Sequence, residues 1–177
     1  MQISIRSNVK QVTRGLTRVQ RKVIPGATVT ALNKVRKEAA TAAVKVLAKE
    51  VGLPQKSIRE SILETFASMQ NPVASVKVVG KALNLIRFNA KQVKKGVSAK
   101  AWGKTRTYKG AFIANSGRTV FARTSKRRLP IKPLHGPSIP KEFIRGAANK
   151  ALADKVRDRF PILFSRAVGF KLSRLKK

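Results

Sequence analysis

The chain has no cysteine, so disulfides and thiolate metal sites are excluded. His135 is the single histidine, and zinc or another nitrogen-ligated metal is therefore not expected. Aromatic residues are sparse, with one Trp and one Tyr. Acidic residues are sparser still for a chain of 177, seven against 40 Lys and Arg. Between Glu64 and Glu142 there is no carboxylate side chain at all, while seventeen Lys and Arg fall in the same stretch. Long apolar runs are missing too. Phe160-Pro-Ile-Leu-Phe164 is among the longest, far short of the roughly 20 residues that span a bilayer. The first residues, MQISIRSNVKQ, have no extended apolar core, so a secretory signal is not expected. No internal repeat is visible.

What is present is charge of one sign. The formal net charge is +33. Uncompensated like charge repels itself and weakens a compact state, so such a chain expects a polyanion or an acidic protein surface. Nucleic acid is the first candidate. A peripheral membrane role is open on charge alone, but no helix shows a wide apolar face carrying Trp and Phe. The apolar fraction of 42% supports a real core and excludes a merely basic disordered tail. The length suits one domain with helical arms: a basic N-terminal helix or arm over 1–24, an α+β domain over 25–160, and a basic C-terminal tail over 161–177.

Val9, Val12, Leu16, Val19 and Val23 step by three and four, which predicts a helix with one apolar face. Lys10, Arg14, Arg18 and Lys22 form a basic stripe on a neighbouring face, either a solvated surface or a second anion-contacting one. Pro25-Gly26 interrupts this pattern. A second helix follows, with Leu32, Val35, Ala39, Ala42 and Val46 inward and Gly52 as its stop. Small residues on that face allow close approach by another element. Pro54 opens a short helix through Ile62, with Ile58 and Ile62 inward.

From Leu63 the pattern changes to short β-like runs, at Val73 to Val79, Leu83 to Phe88, Gly110 to Ala114 and Arg118 to Arg123. Asn115-Ser116-Gly117 suits a hairpin turn between the last two. Asn89 to Lys109 is too long for a tight turn and reads as a two-stranded extension or a functional loop. Four prolines between Ser125 and Pro140 exclude continuous helix there. A final helix begins near Pro140 with Ile144, Ala148, Leu152 and Val156 inward, and Pro161 breaks or kinks it. The expected fold is α+β: N-terminal helices and a C-terminal helix around one mainly antiparallel sheet, with long basic loops.

Glu60/Glu64 and Asp154/Asp158 are spaced i, i+4 on expected helices and are a possible two-carboxylate site. Each has basic neighbours within a turn, which favours helix ion pairs. His135 has no nucleophile motif beside it, and no phosphate-cradling glycine loop occurs. The sequence thus reads as a non-enzyme with no catalytic residues, no metal and no cofactor. The remaining chemistry is the basic surface: Lys91, Lys94, Lys95, Lys100, Lys104, Arg106 and Lys109 in one segment, then Arg123, Lys126, Arg127 and Arg128. Such segments suit phosphate contact without base reading. Trp102 and Tyr108 either stack on bases or anchor the segment to the core, anchoring being favoured.

Ala31-Leu-Asn33, Val51-Gly-Leu-Pro-Gln-Lys56, Leu85-Ile-Arg-Phe88, Lys94-Lys-Gly-Val-Ser98, Gly110-Ala-Phe-Ile-Ala114, Val120-Phe-Ala-Arg123 and Leu129-Pro-Ile-Lys-Pro-Leu-His-Gly-Pro-Ser-Ile-Pro140 occur in that order. Together they resemble the minor tail protein Z family of lambda-type long-tailed phages. The resemblance implies a structural, non-enzymatic tail completion protein of the virion, assembled in the host cytoplasm and located at the head-proximal end of the tail. It implies a ring, with a homo-hexamer expected from the tail's symmetry. The implied partners are further copies of the chain, the tail terminator, tail tube or tape measure proteins, the head connector and the end of the double-stranded DNA, with no membrane. Six copies would carry 6 × 33, about 200, positive charges, which neighbours or DNA must offset. A free-standing, sequence-independent nucleic-acid-binding protein is the alternative.

Overall fold

The structure is a computed structural model that describes residues 16–17, 19–114, 116–125 and 127–174. A π turn at Val19–Val23 leads into α1 (Ile24–Val51), followed by α2 (Gln55–Arg59), β1 (Ile62–Thr65), β2 (Ser75–Val78) and β3 (Ala82–Asn84). A 3-10 turn at Leu85–Phe88 precedes β4 (Lys91–Val93) and β5 (Gly96–Ala99), and a second at Ala101–Gly103 precedes β6 (Arg106–Lys109). Then come β7 (Ala111–Ala114), β8 (Thr119–Arg123), β9 (Ile131–Pro133), β10 (His135–Ser138), α3 (Ile139–Arg145) and α4 (Ala147–Ser173). This is the α+β class expected.

The strands pair as β1-β2, β3-β10, β4-β5-β6 and β7-β8-β9. The sequence suggested one sheet. Strands of three to five residues instead pair in four small sheets, with the 3-10 turn at Leu85–Phe88 between β3 and β4 and Gly110, at positive φ, between β6 and β7.

The chain divides into two compact units, one of Met1–Glu38, Thr65–Ser75 and Lys155–Lys177, the other of Ala39–Glu64 and Val76–Asp154. In the first, Ala31 and Val35 of α1 are buried with Leu163 of α4, flanked by Val156, Phe160 and Phe164. The rings of Phe160 and Phe164 stack with centroids 5.9 Å apart. Glu38 accepts from Arg159 Nε at 2.7 Å on the same pair of helices. The second unit has the larger core: Leu47, Val51, Ile58, Leu85, Phe88, Val97, Val120 and Ile139 are buried together. Each such side chain contributes about 1.5–3 kcal/mol when fully removed from water. This core is the platform on which the short strands rest.

Several expected details differ. The first helical pattern falls mostly outside the described residues, and Leu16, expected inward, is 64% exposed. Pro25 does not end the helix. It lies in the first turn of α1, directly after the π turn, so the helical path continues through it. On α1 the buried face is Ala27, Ala31, Val35, Ala39, Ala43, Leu47 and Val51, so it is turned from the one expected, and Leu32, Ala42 and Val46 are half-buried. The alanines tolerate this because small residues surround the stripe.

The short helix stops at Arg59 and Ile62 opens β1, so Glu60 and Glu64 do not share a helix. Leu83 to Phe88 is half strand, half 3-10 turn: Asn84 Oδ1 accepts from Ile86 N at 3.1 Å and from Val120 N at 2.9 Å, which turns Leu85 and Phe88 into the core. The proline-rich segment contains β9 and β10. Pro133 is tolerated because β9 is the edge of its sheet.

The final helix is two helices. Gly146 is extended (φ −86, ψ −179) and separates α3 from α4. A Cβ at Gly146 would collide with the Glu50 carboxylate, and Glu50 Oε1 accepts the Ala147 N–H at 2.8 Å, satisfying a free donor at the start of α4. Ile144, expected inward, is consequently 73% exposed. Pro161 lies inside α4 without ending it. Pro161 and Arg157 are both exposed, so the carbonyl left unbonded by the proline reaches water.

Candidate nucleic-acid interface

The 89–109 segment, expected to be a two-stranded extension or a loop, contains a three-stranded antiparallel sheet, β4-β5-β6, in the second unit. Lys94 and Lys95 form its first turn. Gly96 follows at φ +144, where a Cβ would strike the Tyr108 carbonyl, so only glycine lets β5 lie this close to β6. The register pairs Gly96 with Lys109, Ala99 with Arg106, and Lys91 with Ser98. Lys94, Lys95 and Lys109 therefore gather at one end of the sheet, and Lys91, Lys100 and Arg106 toward the other. All six are exposed, as is Lys104 beyond the second 3-10 turn. Gln92 fixes the turn end: its Nε2 donates to Gly96 O at 2.9 Å and its Oε1 accepts from Ile113 N at 3.0 Å.

The two aromatic residues have anchoring contacts. Tyr108 packs against the core, and Trp102 Nε1 donates to Glu142 Oε1 at 3.0 Å.

Two members of the second basic group, Arg123 and Arg128, line a shallow pocket of 380 Å³ together with Phe112, Leu129 and Ile131. The Arg123 guanidinium lies 5.3 Å from the Phe112 ring centroid, and Phe112 stacks on Phe121 at 6.1 Å. This orients the cation without using up its hydrogen-bond donors. Arg127 is exposed, with its backbone N–H donating to Ser125 Oγ at 3.2 Å. Lys126, and Lys10, Arg14 and Arg18 of the second basic stripe, lie outside the described residues. Lys22 is exposed on the π turn of the first unit. Exposed cations of this kind, with planar Arg groups beside apolar walls, can meet phosphates or carboxylates along a backbone.

Four of the seven carboxylates are engaged with groups other than these cations. Glu50 caps α4, Glu142 holds Trp102, and Glu38 is bound by Arg159. The hydrogen bond from Arg159 holds the Glu38 carboxyl below its ordinary value of 4.5. Asp158 is exposed and pairs with Arg157 at 3.6 Å. Among the described residues no cluster of His, Asp and Glu could hold a metal ion. His135 is exposed in β10, opposite Asn84.

Two features stand outside the sequence expectations. Arg118 and Lys132 are also exposed on the second unit, on or beside strands of the same sheet as Arg123. In the first unit, Lys34, Arg166 and Lys171 rim a 410 Å³ cleft floored by Leu163, Ala167 and Phe170. The i, i+4 spacing of Leu163-Ala167 and of Phe170 with Arg166 was the only available signal for it.

No helix among the described residues is long and apolar enough to cross a membrane. No curated protein and no solved structure matches the chain. The family described as prophage minor tail protein Z (GPZ) matches residues 8–177, well beyond the 31–140 stretch that carries the recognisable motifs. The chain therefore belongs to the prophage minor tail protein Z family, a family of phage tail structural proteins.

Proposed function

We propose that the protein completes the phage tail at its head-proximal end, as a ring of copies, six by the symmetry of such tails. In this reading the basic surface of the second unit meets the end of the double-stranded DNA and the acidic faces of neighbours: the tail terminator, tail tube or tape measure, and the head connector. The role is structural and involves no catalysis. The observation that carries it is the separation of charge. The exposed Lys and Arg of 91–128 have no carboxylate among them in sequence, while Glu50 and Glu142, which fold close to this region's core, are engaged with Ala147 N and Trp102.

Phosphate contact has a salt signature. If six to ten cations each neutralise a phosphate, affinity for double-stranded DNA falls by roughly 10³–10⁵ between 50 and 200 mM salt. Binding of the full-length protein to a random-sequence duplex, titrated across that range, should show this steep slope with no sequence preference. A flat response removes DNA and leaves acidic proteins as the counter-charge. Electron microscopy of intact particles, with the chain labelled, should find it at the head-proximal end of the tail. A monomer spread along DNA and absent from tails would overturn the reading in favour of a free-standing binder.

A further inference from the structure

Residues 65–76, Thr-Phe-Ala-Ser-Met-Gln-Asn-Pro-Val-Ala-Ser-Val, contain no charged side chain, the longest such run in the chain. The other long one, 23–33, lies largely inside α1 and its core contacts. Residues 65–76 do the opposite. Nine of the twelve are exposed, among them Phe66 at 66%, Met69 at 57% and Val73 at 58%. The segment connects the paired strands β1 and β2 and closes in a tight turn, with Ser68 N donating to Asn71 O at 2.8 Å and Asn71 N to Ser68 Oγ at 3.0 Å.

It is held in place as well as displayed. Asn33 of α1 donates from Nδ2 to Ala67 O at 3.0 Å and accepts from Ala67 N at 2.9 Å, imitating one rung of a strand ladder. Arg36, one turn on, lays its guanidinium 3.7 Å from the Phe66 ring centroid. Two side chains of α1 thus fix the root of an apolar, uncharged tongue whose outer residues have solvent before them. Three exposed large apolar side chains within eight residues form a patch of the kind that marks an interaction site.

The charge of the rest of the chain selects the partner. DNA or a strongly acidic surface gains its electrostatic attraction from the Lys and Arg surfaces, and a segment without charge adds none of it. A second copy of this chain also carries +33, and every contact through the basic surfaces adds repulsion. Among the described residues, the tongue is an exposed segment through which another copy can approach at a lower electrostatic cost. We propose that residues 66–73 are a self-association element, seated on a neighbouring copy with Met69 and Val73 as its apolar anchors. This rests on the ring reading above and assigns it a contact surface.

Because the chain has no cysteine, Met69→Cys offers a unique attachment point for a thiol-reactive photo-crosslinker. The full-length protein is examined in about 1 M salt, where a Debye length of about 3 Å screens the basic surfaces. Irradiation should give a product of 2 × 19.4 = 38.8 kDa. Met69→Lys with Val73→Lys should weaken self-association by about a hundredfold in sedimentation equilibrium, since like charge is placed against like. Its circular dichroism and DNA affinity should stay those of the wild type. An oligomer whose mass is unchanged in the double variant, or a Met69→Cys protein that crosslinks only within itself, overturns the tongue and leaves the ring standing. A wild type that sediments at 19.4 kDa at every concentration overturns both. In assembled tails, crosslinking from position 69 solely to a different tail protein also refutes the assignment.

Discussion

The tongue at 65–76 and the sheet at 91–109 are both short excursions from a buried core, and both expose most of their residues. They differ in what they expose. The tongue has no charge and is rooted by a side chain, Asn33, that supplies both a donor and an acceptor to Ala67. The sheet exposes seven cations and is rooted by backbone geometry, with Gly96 at φ +144 against Tyr108. In the ring proposed above, a chain of net charge +33 would have to meet both an anion and another copy of itself. Segregating charge from its absence lets one chain address both, because screening weakens the first contact and strengthens the second.

The comparison breaks most sharply at Gly96. Gly96→Ala places a methyl group into the Tyr108 carbonyl at a positive φ that L side chains resist. The expected cost is about 3 kcal/mol or more, borne by β5 and β6. Thermal unfolding should show the loss, and DNA affinity at low salt should fall with it, while crosslinking from the tongue is retained. Gly117→Ala is the matched control. It also has positive φ, but its Cβ would meet nothing within 4 Å, so about 1 kcal/mol is expected.

The converse change is Asn33→Ala. It leaves the Ala67 N–H and C=O without their partner on a residue that is only 6% exposed, at a cost of about 1–3 kcal/mol. Hydrogen exchange at Ala67 should quicken and the 38.8 kDa crosslinked product, 2 × 19.4, should diminish, with the salt slope of DNA binding unaltered. If that slope changed with the tongue, the two surfaces would not be independent and the separation argued above would fail.

Much of this is legible in the sequence. The class, a helix after Pro25 that stops at Gly52, the β7-β8 hairpin and the exposure of the Lys and Arg follow from periodicity, turn residues and charge. What was not legible depends on partners distant in sequence. Nothing local at Gly146 says that Glu50, ninety-six residues earlier, will cap the helix that begins beside it. Asn33 was noticed as part of a family motif, yet its spacing gives no hint of Ala67. The β4-β5-β6 sheet escaped because strands of three and four residues, filled with lysine, carry too little alternation to be read as strands. The tongue was passed over because absence of charge in twelve residues draws no notice until their exposure is known.

The smallest expected effect lies at Glu38, on the same helix as Asn33 and Arg36. Arg159 donates to it from Nε at 2.7 Å and from Nη2 at 3.3 Å, and holds its carboxyl below the ordinary 4.5. A carboxyl with a depressed folded value stabilises above the unfolded value and loses that contribution as pH falls through the folded one. The pair is partly exposed, so solvent screens most of its strength. Glu38→Gln should therefore lower the melting temperature only slightly at neutral pH. The difference from wild type should close as pH drops well below 4.5, and it should shrink in about 1 M salt. Each of those changes acts on the helix that roots the tongue and leaves the cationic sheet with its charge intact. If the crosslink from Met69→Cys weakened over the same acid range while that from Met69→Cys combined with Glu38→Gln stayed constant, the root of the tongue would be tied to this ion pair. Equal weakening in both proteins would instead assign the effect to the rising net charge of the whole chain.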